Sequence, residues 1–352
     1  MIALRKSIIF ALIVFCVCPA AYAANMGHYS PDDNGVRDYV MPHKKGLSVT
    51  VDNTYFTSNT FKGTDGGKLN SLSATRTETK YIKLFDKTIP VTRTESATVD
   101  IDFNNNTFYQ TWDLTYKPDV KLLGADYAFS VSPTWGYAMF EAKLKADARC
   151  TVSIGDIRKT LTAAISDTIK EENTGFGDLY VQPLWFAWRG KHYDAGLSYG
   201  FYAPTGQHDK NGLANIGYGF WTQQVQANLY YFPFKSQGTA LVLRPTYEWN
   251  SERIDEDVTP GQTISIEYGV SQIVFSQAEL AVLGYEQIQL SGEKGDNVTG
   301  KHPISGTRGI GGQIKGWVVK DKCSIAAKYS AEYGTKMNFE GSSWSLNLSW
   351  IF

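Results

Sequence analysis

The chain has 352 residues, 43% of them hydrophobic and 14% aromatic, with a formal net charge of −1. That balance offers no basic surface for nucleic acid and no strong field for a polyanionic partner. Beyond the N-terminal leader no apolar run reaches the ~20 residues of a spanning helix, so a membrane-spanning form of this chain must close its backbone hydrogen bonds in a β-barrel.

Arg5 and Lys6 precede an apolar run from Ile8 to Val17, and Ala21-Tyr22-Ala23 is a small-x-small cleavage site. Residues 1–23 therefore read as a secretory signal peptide, and its removal leaves a net charge of −3. Cys16 and Cys18 leave with it, because Phe15 and Val17 stand where a lipoprotein signal needs small residues. Residues 24–45 are polar, rich in Gly, Pro and charge, and predict no regular structure. They read either as a loose periplasmic terminus or as a segment folded into a barrel mouth or lumen.

From residue 46 to 352, segments of alternating polarity recur between turn-forming stretches. Predicted strand one (46–57) opposes Leu47, Val49, Val51 and Tyr55 to Ser48, Thr50, Asp52 and Thr54. Strand two (107–117) turns Phe108, Trp112, Leu114 and Tyr116 outward and Asp113 inward. Strand three (124–140) puts Tyr127, Phe129, Val131, Trp135, Tyr137 and Met139 outward. Strands four (178–189) and five (192–203) meet near Gly190, with Asp194 and Ser198 inward. Strands six (219–232), seven (239–250) and eight (262–274) turn Gln224, Gln226, Arg244, Glu248 and Glu267 inward. Strand nine (278–290) is the least regular, with Glu286 on the outward parity. Strands ten (308–320) and eleven (323–333) bring in Lys315, Lys328 and Glu332. Strand twelve ends on Trp344, Leu346, Leu348, Trp350 and Phe352, alternating with Ser343, Ser345, Asn347 and Ser349.

An apolar-out, polar-in strand with a terminal aromatic resembles the closing strand of bacterial outer-membrane barrels. Twelve strands give an even count, with short turns near 118–123, 190, 233–238, 275–277 and 321–322 on one side and mostly longer loops on the other. The expected fold is thus all-β: a transmembrane antiparallel up-and-down barrel of about twelve strands, both termini periplasmic. Residues 75–95 read either as an extracellular hairpin continuing strands one and two above the membrane or as an extra strand pair, making fourteen, and residues 149–172 are similarly ambiguous. The first of these carries Thr-Arg-Thr-Glu twice, at Thr75–Glu78 and Thr92–Glu95. Pro133, Pro183 and Pro245 lie inside predicted strands and should mark bulges, strand ends or wrong boundaries. Cys150 and Cys323 fall near opposite ends of this map, which argues against a bridge; the alternative is an ordinary disulfide of an oxidising compartment.

Residues 174–231 carry the motifs Gly177-Asp178-Leu179, Ala203-Pro204-Thr205-Gly206 and Asn215-Ile216-Gly217, followed by Trp221. With the Gly27-His28-Tyr29 start, the chain resembles the outer-membrane family named for the meta-pathway of phenol degradation, which includes SphA-like members. The resemblance implies an outer-membrane channel for aromatic or other hydrophobic compounds. It also implies that Trp350 and Phe352 serve as the signal read by the barrel-assembly machinery. Residues 60–106 depart from the family in length and in the repeat.

Asp113, Asp194, Arg244, Glu248, Glu267, Lys315, Lys328 and Glu332 are the lumen-facing candidates. Their mixed signs predict salt bridging rather than strong ion selectivity. Pro204, Thr205, Gly206 and Asp209 are candidates for a constricting loop, although proline and glycine there first set turn geometry. Gly175, Gly177 and Asp178 read the same way: a bend first, a ligand contact second. None of the histidines sits in a nucleophile motif, so no catalytic residue, metal or cofactor is expected. The expected partners are the bilayer, lipopolysaccharide, the assembly machinery and a small hydrophobic or aromatic solute. The function read from this is uptake by passive or gated diffusion, with residues 24–45 as a hatch. The alternative is a structural or adhesive barrel with a plugged lumen and partner-binding outer loops.

Overall fold

The computed structural model describes residues 27–352 apart from 32, 86, 255, 276, 297, 299–303, 320 and 321. The leader lies outside the described residues. The strands are β1 (Gly46–Ser58), β2 (Phe61–Lys62), β3 (Ser71–Leu84), β4 (Lys87–Lys117), β5 (Lys121–Leu122), β6 (Ala125–Ser132), β7 (Thr134–Ile154), β8 (Ile157–Phe176) and β9 (Leu179–Arg189). They continue as β10 (Tyr193–Ala203), β11 (Thr222–Tyr231), β12 (Thr239–Asn250), β13 (Thr263–Val274), β14 (Ala278–Gln289), β15 (Gly306–Val319), β16 (Cys323–Lys336), β17 (Asn338–Phe339) and β18 (Ser342–Ile351).

Each wall strand pairs antiparallel with the next, from β9 through β16, then β18, β1 and β4. The pairings β4–β6 and β6–β9 close the ring. The closed barrel has twelve wall positions, β6 and β7 sharing one and β8 and β9 another. β18 lies against β1 with Tyr55 opposite Trp344 and Val49 opposite Trp350. Phe352 N–H donates to the Leu47 carbonyl at 2.9 Å.

The strand period sorts the two faces. In β18, Trp344, Leu346 and Leu348 are 59%, 45% and 45% exposed, whereas Ser343, Ser345 and Asn347 are 5–6% exposed. The exposed apolar side chains face lipid, and the buried polar ones face the lumen. Glu286, out of place by parity, is neutralised across the ladder: it sits opposite Arg308, with the two side chains 2.6 Å apart.

The ring has the expected twelve strand positions, not the fourteen that stayed possible. β3 does not enter the ring, and β8 shares the wall position of β9 rather than adding one. β4 and β7 run past the barrel rim and carry β3 and β8 as a projecting four-stranded sheet in the order β3-β4-β7-β8. Its inner face buries Val99, Ile101, Phe103, Phe140 and Leu144 against Phe61, Phe339, Ala214 and Ile216, a core over the loop end of the barrel. Cys150 lies in this projection and Cys323 at the turn end, and both are free.

The prolines mark the irregular points. Pro133 separates β6 from β7, and its carbonyl accepts from Trp112 N–H at 3.0 Å. Pro183 falls in a register shift shared by the β6–β9 and β9–β10 ladders. Pro245 keeps its pairing with Ile266 in β13. Towards β11 the ladder skips it without changing register, as a missing N–H requires.

Candidate functional site

The described residues of 27–45 contain no strand, and their polar groups bond to the inner wall. Near the loop end, His28 Nε2 donates to Asp178 Oδ2 at 2.8 Å, while Thr222 Oγ1 lies 2.7 Å from Nδ1. The imidazole stacks on Tyr202 and meets Tyr218 and Phe220 edge-on. Tyr29 N–H donates to Glu248 Oε1 at 3.0 Å, its hydroxyl donates to Glu267, and its carbonyl accepts from Gln287 Nε2 at 2.8 Å. Further along, Tyr230 hydroxyl donates to the Val36 carbonyl at 3.0 Å. Arg37 donates to the carbonyls of Gln237 and Gly238, and Lys315 Nζ to Asp38 at 2.8 Å. At the turn end Arg189 donates to the Met41 carbonyl and Lys117 to that of His43. The segment thus threads the lumen from the loop end to the turn end before entering β1.

The eight lumen-facing candidates all point inward, and several are used by this segment rather than by one another. Arg244 and Glu267 form a bidentate pair, 3% and 4% exposed at the side chain, beneath the ring of Tyr39. Glu248 holds the Tyr29 amide, Lys315 holds Asp38, and Lys328 Nζ donates to the Asn34 carbonyl at 3.2 Å. Asp194 lies 3.3 Å from Arg189, Asp113 accepts from Ser132, and Glu332 accepts from Gly341 N–H at 2.8 Å.

The loop candidates do not stand free in the pore. Pro204 follows β10 directly. Thr205 Oγ1 accepts from Leu179 N–H at 3.0 Å, and Asp178 Oδ1 from Gly206 N–H at 2.8 Å. Asp178 Oδ2 also accepts from Tyr218 N–H at 2.7 Å. Gly206 and Gly217 face each other so closely that a Cβ on either would lie 2.7–2.8 Å from the other's backbone. Asp209 serves its own loop, its Oδ1 accepting from Asn211 N–H at 2.9 Å.

The four motifs singled out in the sequence therefore meet in one knot. Asp178 joins the segment through His28, and the 204–221 loop through Gly206 and Tyr218. Burial pushes the His28 pKa down, against the opposing pull of Asp178. The Asp178 carboxyl sits below its ordinary range: burial raises it, but His28 and the two amides outweigh that. Sequence reasoning left His28 without a role. Its one signal was the Gly27-His28-Tyr29 start beside the other motifs.

The segment leans on one side of the barrel, on β11 to β16. A cavity of about 1000 Å³ lies beside it. Its wall comes from β1, β4, β6 and β9, through Thr50, Asp52, Tyr109, Asp113, Ser132 and Trp185, and from β14, β15, β16 and β18, through Gln287, Lys315, Ser330 and Ser343, with the segment lining it as well. Lining residues run from Leu213 and Arg253 at the loop end to Lys322 and Trp350 at the turn end.

A barrel of twelve antiparallel strands, apolar outside and polar within, defines an outer-membrane β-barrel protein. The chain belongs to the family described as "Putative MetA-pathway of phenol degradation", whose model matches residues 90–348. Among solved structures it is similar to the COG4313 outer membrane channel from Pseudomonas putida F1, at 14% identity and a TM-score of 0.57, over 93% of this chain and 100% of that one. It also aligns with the CymD monoaromatic hydrocarbon channel, at 8% identity and a TM-score of 0.40, over 94% and 96% of the two chains. No curated protein sequence matches it.

Proposed function

We propose that this protein is an outer-membrane channel for small hydrophobic or aromatic molecules, with residues 27–45 as a movable hatch. The observation that carries the proposal is the cavity running beside the segment between the two ends of the barrel. Many of the bonds that hold the segment are single side-chain contacts, each replaceable by water when the segment shifts. Aromatic rings among the threonines and carboxylates of the wall suit a solute with an apolar ring and few polar groups. Membership of the family, and a fold shared with an outer membrane channel, support transport over catalysis. The short turns belong on the periplasmic side, which puts the entry to β1 and the end of β18 there. Lipid and lipopolysaccharide surround the outer face, and β18, which closes the ring, is the strand for the assembly machinery to engage.

The test is uptake. Cells carrying this protein as their added outer-membrane channel should take up a radiolabelled monoaromatic compound faster than cells with an empty vector. Equal rates across a panel of aromatic and aliphatic solutes would overturn the proposal.

A further inference from the structure

The repeated Thr-Arg-Thr-Glu is used within the chain in a specific way. Thr75–Glu78 in β3 and Thr92–Glu95 in β4 pair antiparallel, with Arg76 opposite Glu95, Thr77 opposite Thr94 and Glu78 opposite Arg93. Read antiparallel, the motif is its own complement. Thr77 and Thr94 hydroxyls lie 3.3 Å apart, and those of Thr79 and Thr92 3.1 Å.

β3 is an edge. Among the described residues it pairs with β4 alone, so its other side presents unpaired backbone groups along Ser71–Leu84. Such an edge is a template for another strand. It also carries Tyr81 and Ile82, which are 73% and 49% exposed. We propose that this edge is a docking surface for a second copy of the same chain, β3 against β3, centred on Thr77.

The charges select that register. With Thr77 opposite its own copy, Arg76 faces Glu78 in both directions, Thr75 faces Thr79, Lys80 faces Ala74 and Ile82 faces Leu72. No like charges stand opposite each other. Across the four strands β4, β3, β3 and β4 the row then reads Glu95, Arg76, Glu78, Arg93, alternating in sign. Moving the centre to Arg76 or Glu78 sets like charges opposite each other, which is destabilising.

The geometry also sets the kind of contact. Antiparallel strands are related by a two-fold axis perpendicular to their sheet. β4 and β7 leave the barrel wall with an unbroken register from Thr111 to Val91, so the projecting sheet continues the wall and its normal lies across the barrel axis. The axis therefore inverts the second barrel, and the contact joins copies in facing membranes. Residues 87–104 give a reach of about 60 Å along the strand. Exposed ion pairs are individually weak, and many copies on each surface supply the avidity.

The test uses the full-length protein in two populations of lipid vesicles, with copies carrying different tags. Cys150→Ser and Cys323→Ser remove the free thiols, and Thr77→Cys places one at the proposed axis. Oxidation of mixed vesicles should give a cross-linked dimer bearing both tags. Arg76→Glu in all copies, or Glu78→Arg in all copies, should each lower its yield roughly tenfold, the effect of about 1.4 kcal/mol. Pairing Arg76→Glu vesicles with Glu78→Arg vesicles should restore it, because the two changes complement each other. A Thr79→Cys, Thr92→Cys pair, joined within one chain in every variant, shows that the hairpin is formed. Absence of the mixed dimer, insensitivity to charge, failure of the complementary pair to restore it, or cross-links confined to one population would overturn the proposal.

Discussion

His28 Nε2 lies 2.8 Å from Asp178 Oδ2, with side chains 3% and 1% exposed, and this contact fastens the N-terminal segment to the junction between β8 and β9. Asp178→Ala would strand the imidazole and the amides of Gly206 and Tyr218, each buried group costing about 1–3 kcal/mol when left unpaired. We expect a lower thermal midpoint in detergent and a larger ion conductance than in the parent. An unchanged midpoint and conductance would show that the knot holds nothing.

The same contact gives a pH dependence. His28 has a folded-state pKa below its unfolded value of about 6.5, because burial disfavours the charged ring. The unfolded state then binds more protons in acid, so the stability this group contributes is present above pH ~6.5 and is lost as the pH falls below it. Thermal midpoints of the parent and of His28→Gln, measured between pH 8 and pH 5, should converge on acidification. A gap that widens in acid would contradict the account.

Arg244 and Glu267 are buried together beneath the segment. Arg244→Ala leaves Glu267 charged and unpaired, at about 3–5 kcal/mol, whereas replacing both by apolar residues of similar volume should cost less. Urea unfolding in phospholipid, followed by the heat-modifiable gel shift, should rank the single change as the more damaging one. Equal damage from the single and double changes would remove the pair from the account.

Leu346 and Ser345 are neighbours on opposite faces of β18. Leu346→Arg places a charge in lipid, at about 2–4 kcal/mol near the bilayer midplane. Ser345→Ala removes only one luminal hydrogen bond, to Thr54 at 3.2 Å. Unfolding free energies in lipid should separate the two substitutions. A smaller loss for Leu346→Arg would mean that the faces have been assigned the wrong way round.

The wall was legible because its physics is local. Each strand repeats every second residue, so the parity of Trp344, Leu346 and Leu348 fixed the lipid face without a partner being known. The exceptions needed the partner. Glu286 reads as an error until Arg308 is seen across the ladder, and the two copies of Thr-Arg-Thr-Glu read as a repeat until their antiparallel register sets Arg76 opposite Glu95. The luminal knot was the least legible part. His28 meets Asp178 across 150 residues, and nothing in the polarity of residues 27–45 distinguishes a segment in the lumen from one in the periplasm. The inward charges could be named, but their partners could not, because several of them bond to that segment rather than to the wall.

Residues 27–45 lie in the lumen beside the cavity, and the proposed function makes them its hatch. Single-channel conductance in a planar bilayer, comparing the full chain with a deletion of residues 27–42, tests this most directly. Removing the segment should give a conductance several-fold larger, with the barrel still heat-modifiable. A folded deletion variant that conducts no more than the full chain would contradict it.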